Sequence, residues 1–220
     1  MEQNKINTLN VPFIADLEKM TYEEFDMAME TGASKSFIGE ACWKKEFPYC
    51  PDTAFSIARS KTHIAILYHV RGLDLRALAL EDNGPVWEDS CCEFFIADPS
   101  DGTYYNFEMN CIGTLLGAKR KSRTECTHFP SSELSRVVRH STLARKAREL
   151  EGKIFGWSVG MCIPMDLIGI NPQNLPSSAK ANFYKCGDKT AHPHFLSWNR
   201  IEAPAPDFHR PDQFGEIIFQ

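Results

Sequence analysis

Apolar and polar residues alternate over much of this chain with a period of two, which predicts β-strands. Residues 153–164 are the clearest example, because their odd-numbered positions from 155 onward are large and apolar while the even-numbered ones are small. The same alternation predicts strands at 53–59 and 62–71, joined by a tight turn. Further strands are expected at 114–120, 180–186, 194–199 and 214–219, while no structure is predicted for the illegible stretch 121–152, in which 136–139 is a strand candidate.

The small side chains on the second face of 153–164 leave two interpretations open. They either leave room for a ligand above the sheet or allow a neighbouring segment to pack closely. These residues are Gly156, Ser158, Gly160 and Cys162.

Residues 87–111 are the most informative stretch of the chain, and they predict a β-hairpin. Two aromatic-rich runs flank Asp98-Pro99-Ser100-Asp101-Gly102, a segment dense in turn-forming residues. Alternation places the apolar residues of both runs on one buried face. The residues of that face are Cys92, Phe94, Ile96, Tyr105, Phe107 and Met109.

The outward face of this hairpin is predicted to be polar and open. Pairing of Ala97 with Tyr104 would set Glu93 directly across from Glu108, with Cβ atoms ~5 Å apart. Opposed like charges destabilise a sheet, so a cation, an arginine, a shared proton or a hydroxyl-rich ligand would have to compensate. The alternative is a solvated face without a ligand. The polar residues are Glu93, Asn106, Glu108 and Asn110.

Helix is expected only in short pieces, at 22–30 and in a single turn at 164–168. Residues 74–82 are expected to form a polar segment outside the strands. Residues 143–150 have helical composition, but they lie within a stretch that has no clear pattern. Many short strands separated by turn signals predict an all-β fold, a single antiparallel β-sandwich with long loops, in one domain over residues 1–220.

Composition narrows the class of partner. Apolar residues make up 43% of the chain, including 15 Phe and 4 Trp, which is enough for a sizeable core. A net charge of -5 argues against nucleic acid as a partner. No segment has the length of a signal peptide or a membrane span, so no membrane partner is expected. The chain as written is predicted to be cytoplasmic, or extracytoplasmic if a leader was removed.

One basic zone stands out against this acidic balance. Residues 119–148 hold nine Lys or Arg against two Glu, which is typical of solvated strand edges and loops. The alternative is contact with an acidic sugar or another anionic partner.

The eight cysteines are expected to be reduced, and Cys91 and Cys92 should point to opposite faces of one strand. No CxxC pair or HExxH helix is present, so a structural zinc is not predicted. The close Cys/His groups are Cys126 with His128, and Cys186 with His192 and His194. Phosphate-binding glycine loops, dinucleotide fingerprints and nucleophile elbows are absent from the sequence.

Several segments in order resemble carbohydrate-binding module family 9, and in particular its stand-alone members of about this length. They are the runs 87–96 and 104–110, the strand 157–164, the segment 195–198 and the closing run 208–215. The resemblance covers most of the chain from about residue 40 onward. It implies a β-sandwich that binds sugars without cleaving them, often beside glycan-degrading enzymes.

The resemblance also implies roles for particular residues. Family members hold a terminal or short-oligosaccharide sugar between two aromatic side chains, with acid and amide groups bonded to its hydroxyls. Trp87 matches the first aromatic and Glu93 the acid, while Phe208 and His209 stand where a tryptophan is usual. The family's arginine has no clear counterpart, since Asn106, Glu108 and Asn110 occupy that strand.

Elementary chemistry agrees with these roles, because sugar C–H groups pack on aromatic faces and sugar hydroxyls need paired donors and acceptors. Trp87 could instead cap the edge of the core. Trp157 and Trp198 lie within apolar strand patterns and are predicted core residues.

Three other functions stay open at this point. The Glu93/Glu108 pair would stand near the ~5–5.5 Å carboxyl separation of a retaining glycoside hydrolase. The same acid pair could bind calcium, although no cofactor is expected. A purely structural or protein-binding sandwich is the third alternative.

Overall fold

Two β-sheets face each other in the computed structural model, which describes residues 6–98 and 100–220. Pro99 of the predicted hairpin turn lies outside these residues. With strands numbered in chain order, the smaller sheet runs β2 (Ser34–Phe37), β3 (Asp52–Arg59), β4 (His63–Ala77), β10 (Arg148–Pro164) and β9 (Val138–Ser141). The larger sheet runs β1 (Thr8–Val11), β13 (Gly215–Phe219), β11 (Ser178–Cys186), β5 (Cys91–Ala97), β6 (Tyr104–Asn110), β7 (Leu115–Arg120) and β8 (Cys126–His128), with β12 (Phe195–Ser197) also paired to β11.

The predicted all-β sandwich is confirmed, with one pair of strands that departs from antiparallel order. β1 lies parallel to β13. The two strands come from opposite ends of the chain, so no hairpin turn between them imposes the antiparallel direction.

Helices are few and short. The helix α1 (Tyr22–Gly32) begins at a capping box in which the Thr21 hydroxyl accepts from the Glu24 amide and the Glu24 carboxylate accepts from the Thr21 amide. A second helix, α2 (Ser131–Leu134), spans one turn. Short 3-10 turns lie at Leu17–Lys19, Val86–Glu88, Met165–Ile168 and Pro211–Gln213. Among the described residues, no helix combines the length and apolar character needed to cross a bilayer.

The main core lies between the two sheets and contains the face of the β5–β6 hairpin that was predicted to be buried. All six of its residues are at most 5% exposed. Trp157 and Trp198 belong to the same core, as predicted. The core therefore fixes which face of the hairpin points away from it.

One expectation about the middle of the chain was wrong, and part of a stretch without a clear pattern is a strand. β4 continues to Ala77, where a polar excursion was expected, and β10 begins at Arg148, within the stretch of helical composition. The two strands pair with each other from Arg148 opposite Ala77 to Pro164 opposite His63. Pairing with a neighbouring strand therefore overrides local charge composition in both segments.

The small face of β10 is explained in part by close packing. The Phe25 side chain of α1 lies so close to Gly160 that an added Cβ would stand 2.6 Å from it, and Cys162 belongs to the cluster beneath α1. Gly156, on the same face, would meet nothing within 4 Å. The close-packing interpretation therefore holds for the half of the strand that α1 covers.

This difference gives a test of the packing of α1. We expect Gly160→Ala to lower the free energy of unfolding by about 1–3 kcal/mol, because the new methyl group would displace the buried Phe25 ring. Urea unfolding monitored by tryptophan fluorescence measures the change.

Gly156→Ala is the matched control, since it adds the same atom to the same face of the same strand in open space. It should leave the unfolding free energy unchanged or slightly raised. Equal destabilisation by both substitutions would contradict the packing explanation.

Candidate functional site

The outward face of the β5–β6 hairpin holds the predicted acid pair. Ala97 pairs with Tyr104, and this register sets Glu93 directly opposite Glu108, as predicted. The two side chains are only 3% and 4% exposed. The sheet therefore buries two acids next to each other on its outer side.

The expectation that this face is an open polar row was wrong. A second apolar cluster covers much of it, formed by sheet residues such as Phe95 and Tyr184 together with Trp43, Ile201 and Phe214 from loops. Aromatic side chains alternate with the acids on this face, and their burial requires a cover of loops. The acids remain accessible only where that cover ends.

A pocket of about 270 Å³ lies at this place. Five of the seven predicted site residues line it: Trp87, Glu93, Glu108, Phe208 and His209. Residues that were not predicted complete the lining: Arg120, Arg123, Cys186, Asp188, Phe195, Pro206 and Asp207.

Trp87 lies at the rim of the pocket with 38% of its surface exposed. Its neighbour Val86 is fully buried and anchors the 3-10 turn to the outer cluster, so the indole points outward. The Trp87 carbonyl accepts a hydrogen bond from the Asp188 amide at 3.1 Å. An ion pair of 2.8 Å between Lys189 and Glu88 also joins the two loops. The exposed indole thus has a fixed backbone beneath it.

Arg120 supplies a positive charge beside the acids. Its Nε donates to Asn106 Oδ1 at 2.7 Å, and Asn106 Nδ2 donates to Glu108 Oε1 at 2.7 Å. The second oxygen of Glu108 has no hydrogen-bond partner, although it is buried. An arginine is therefore present, but it comes from β7 and acts on Glu108 through an amide.

The two predicted asparagines do not line the pocket, because both are fully buried. Asn106 links Arg120 to Glu108 beneath the pocket surface. Asn110 donates to the Ala79 carbonyl and to Asp89, and it accepts from the Thr114 amide. Asn110 thus holds loops together, and only Asn106 is near the acid pair.

Phe208 and His209 both line the pocket, but their environments differ. The Phe208 ring stacks on Tyr184 with centroids 4.2 Å apart, and the residue is 8% exposed. His209 is half-buried and its Nδ1 lies 2.9 Å from the Tyr104 hydroxyl. Burial, together with Arg120 and Arg123, lowers the pKa of His209 to about 3, which keeps this ring neutral.

Burial also shifts the pKa of the acids. It raises the pKa of Glu93 well above its ordinary value, and the facing Glu108 adds to that shift. Burial raises the pKa of Glu108 to about 7 against the opposing effects of Arg120 and Asn106. The pKa of Asp188 rises to about 6 for the same chief reason, burial. Burial thus favours the protonated form of each of these three acids more than water does.

Similarity to known proteins identifies the family. The family model for carbohydrate-binding family 9 matches residues 24–219. This chain belongs to carbohydrate-binding family 9. No curated protein is significantly similar to it in sequence.

Solved structures agree with membership of family 9. A candidate carbohydrate-binding protein from Bacteroides uniformis is 34% identical, with a TM-score of 0.88 over 98% of this chain and 100% of that one. A family 9 module from Caldicellulosiruptor kristjanssonii in complex with cellotriose has a TM-score of 0.59 at 11% identity, over 97% of this chain and 94% of that one. A family 9 module from C. kristjanssonii in complex with glucose has a TM-score of 0.53 at 11% identity, over 97% of this chain and 96% of that one. At 11% identity the likeness shows the fold alone.

The raised pKa of Glu108 predicts a pH-dependent stability for this family 9 protein. The carboxyl binds its proton more tightly when folded than at its ordinary pKa of 4.5, so the wild type loses stability as the pH rises from 4.5 through 7. Glu108→Gln cannot ionise, so its unfolding free energy relative to wild type should rise over that window by ~3 kcal/mol and then level off.

Urea unfolding at a series of pH values from about 4 to 8 measures this difference. Glu151→Gln, at an exposed position of β10, is the control and should show no such trend. A difference between Glu108→Gln and wild type that stays constant with pH would refute a raised pKa.

Proposed function

We propose that this protein binds a terminal or short-oligosaccharide sugar in the pocket without cleaving it. One observation carries the proposal: an exposed indole stands beside buried acids in a cavity of about 270 Å³. Sugar rings pack their C–H groups on aromatic faces, and their hydroxyls pair with fixed donors and acceptors. The pocket offers both within a few residues of each other.

In this proposal Trp87 is the platform for one face of the sugar ring. Glu93 and Glu108 form the floor, and Phe208 and His209 form part of the opposite wall. A protonated carboxyl donates a hydrogen bond and a carboxylate accepts one, while a hydroxyl does both. The acids are therefore suited to hydroxyls in either protonation state.

The charges of the lining favour a neutral sugar over an acidic one. Four acids line the pocket, namely Glu93, Glu108, Asp188 and Asp207, against Arg120 and Arg123. Asn106 accepts from Arg120, and Asp207 lies 3.8 Å from Arg123. A sugar carboxylate would be repelled by whichever of these acids is ionised, and both arginines already contact protein partners.

Binding to sugars tests the proposal directly. A glycan array would select the ligand, and glucose and cellotriose are first candidates for calorimetry because family 9 structures from C. kristjanssonii hold these sugars. Trp87→Ala and Glu93→Gln should each weaken binding at least about 10-fold, since each removes a ring contact or a buried hydrogen bond.

Phe37→Ala is the matched control for loss of an exposed aromatic, because Phe37 is 75% exposed and lies on the other sheet. Its affinity should equal that of wild type. Unchanged binding in both pocket variants would place the sugar elsewhere.

Glycoside hydrolysis is the competing function of the same two acids. Glu93 and Glu108 rise side by side from neighbouring strands, so both lie on one side of a bound ring instead of flanking a glycosidic bond. Incubation with aryl glycosides should therefore release no phenol above the rate without protein. Turnover that Glu93→Gln or Glu108→Gln abolishes would establish an enzyme instead.

The wider role of the protein is also part of the proposal. Sugar binding without cleavage serves glycan breakdown when an enzyme works beside it, and the partner enzyme stays a prediction.

A further inference from the structure

Three potential metal ligands converge at the base of the pocket. Cys91 of β5 and Cys186 of β11 lie directly opposite each other across the strand pair. Glu93 follows two residues after Cys91 and shares its face. Their sulfur and oxygen atoms all lie within 4.8 Å of one another, and the three residues are 0%, 1% and 3% exposed.

One contact within this group is unusually short. Cys186 Sγ lies 2.9 Å from Glu93 Oε1. The other contacts between a cysteine sulfur and an oxygen in the described residues are 3.5–3.8 Å long. The Cys186 thiol and the Glu93 carboxyl are thus closer than the other sulfur–oxygen pairs, and Cys91 Sγ lies within 4.8 Å of both.

The acid that faces Glu93 adds to the demand for a proton or a positive charge beside this group. Glu108, opposite Glu93 on the floor of the same pocket, has a buried carboxylate oxygen without a hydrogen-bond partner. An unpaired buried acid is costly unless a proton or a positive charge accompanies it. Arg120 reaches only the other oxygen of Glu108, through Asn106.

We propose that Cys91, Cys186 and Glu93 bind a zinc ion, with its fourth position directed into the pocket. Two thiolates and a carboxylate match the mixed sulfur and oxygen ligands of zinc, and three protein ligands with one open position are typical of an accessible zinc site. Calcium and magnesium take oxygen ligands only, and monovalent copper selects sulfur. The donor set therefore favours zinc over the calcium ion considered for the acid pair.

Binding requires the loss of the thiol protons. Burial raises the pKa of Cys91 to about 12 and that of Cys186 well above its ordinary value, so both are thiols in the metal-free protein. Zinc would replace one proton on each sulfur and the proton on Glu93 as the two Zn–S bonds and the Zn–O bond form, and these protons would pass to solvent. Apparent affinity should accordingly rise with pH.

Zinc binding is measured on the full chain without sugar, so its failure is separate from failure of the proposed function. The background variant carries Cys50→Ser and Cys126→Ser, which removes the two exposed thiols. A phosphine reductant prevents a disulfide between the opposed cysteines. We expect one zinc per chain by elemental analysis after dialysis, with proton release in weak buffer.

Substitutions in this background assign the ligands. Cys91→Ser, Cys186→Ser and Glu93→Gln should each weaken zinc binding at least about 100-fold, measured in competition with a chromophoric chelator. Loss of a residue that only hydrogen-bonds to a metal ligand costs about 10–100-fold, and loss of a ligand itself should cost no less. Cys162→Ser, a buried thiol beneath α1, is the control and should bind as the parent does. Zinc retained in Cys186→Ser would overturn the proposal.

Cobalt substitution keeps the test valid if a variant fails to fold. In the parent chain, bound cobalt should show thiolate charge-transfer absorption and the visible bands of a tetrahedral site. Absence of stoichiometric zinc, or cobalt bound without thiolate absorption, would each refute this site.

Discussion

The register of three neighbouring strands determines the floor of the pocket. β5 pairs with β6 so that Glu93 faces Glu108, and with β11 so that Cys91 faces Cys186. A slip of one residue would carry these groups into the core. The inner face prevents that slip, because Phe94 is flanked by Phe107 and Phe183 and each buried ring contributes about 1.5–3 kcal/mol. Apolar burial on one side thus holds polar groups on the other.

The cover over the outer face explains why a polar face became a pocket. Phe95, Tyr104 and Tyr184 alternate with the acids, and an open face would leave these rings in water. Loops cover the rings and exclude water from the acids beside them, which raises the pKa of Glu93 and Glu108. The loops that bury the aromatic rings are therefore also the cause of the raised pKa of the two acids.

Much of this arrangement could be predicted from the sequence because alternation is a local signal. It predicted the hairpin, its register, its buried face and the strands on either side, and it separated Trp157 and Trp198 from Trp87. Alternation reports a face and a period, but it does not report which strands become neighbours. Residues 148–150 have helical composition, yet they belong to β10 and pair with β4.

The residues that the sequence did not predict come from strand neighbours. Arg120 belongs to the next strand along the sheet, and Cys186 becomes a neighbour of Cys91 only because β11 crosses to lie beside β5. The basic zone at 119–148 includes Arg120 and Arg123. Its composition did not indicate that these two of its nine basic residues would line the pocket with the acids. Composition likewise could not distinguish Glu108, which lines the pocket, from Asn110, whose amide holds two loops together.

A cation, an arginine, a shared proton or a hydroxyl-rich ligand was expected to offset the repulsion between the two opposed acids. In the structure, Glu93 and Glu108 are not compensated in the same way. Glu108 receives an arginine through Asn106, Glu93 receives a thiol from Cys186, and burial favours a proton on each. One oxygen of Glu108 has none of these. A hydroxyl that donates to this oxygen, or a cation beside it, would complete the hydrogen bonding of the floor, and both approach from the pocket. The unpaired oxygen thus makes Glu108 the acid at which a hydroxyl would gain a hydrogen bond.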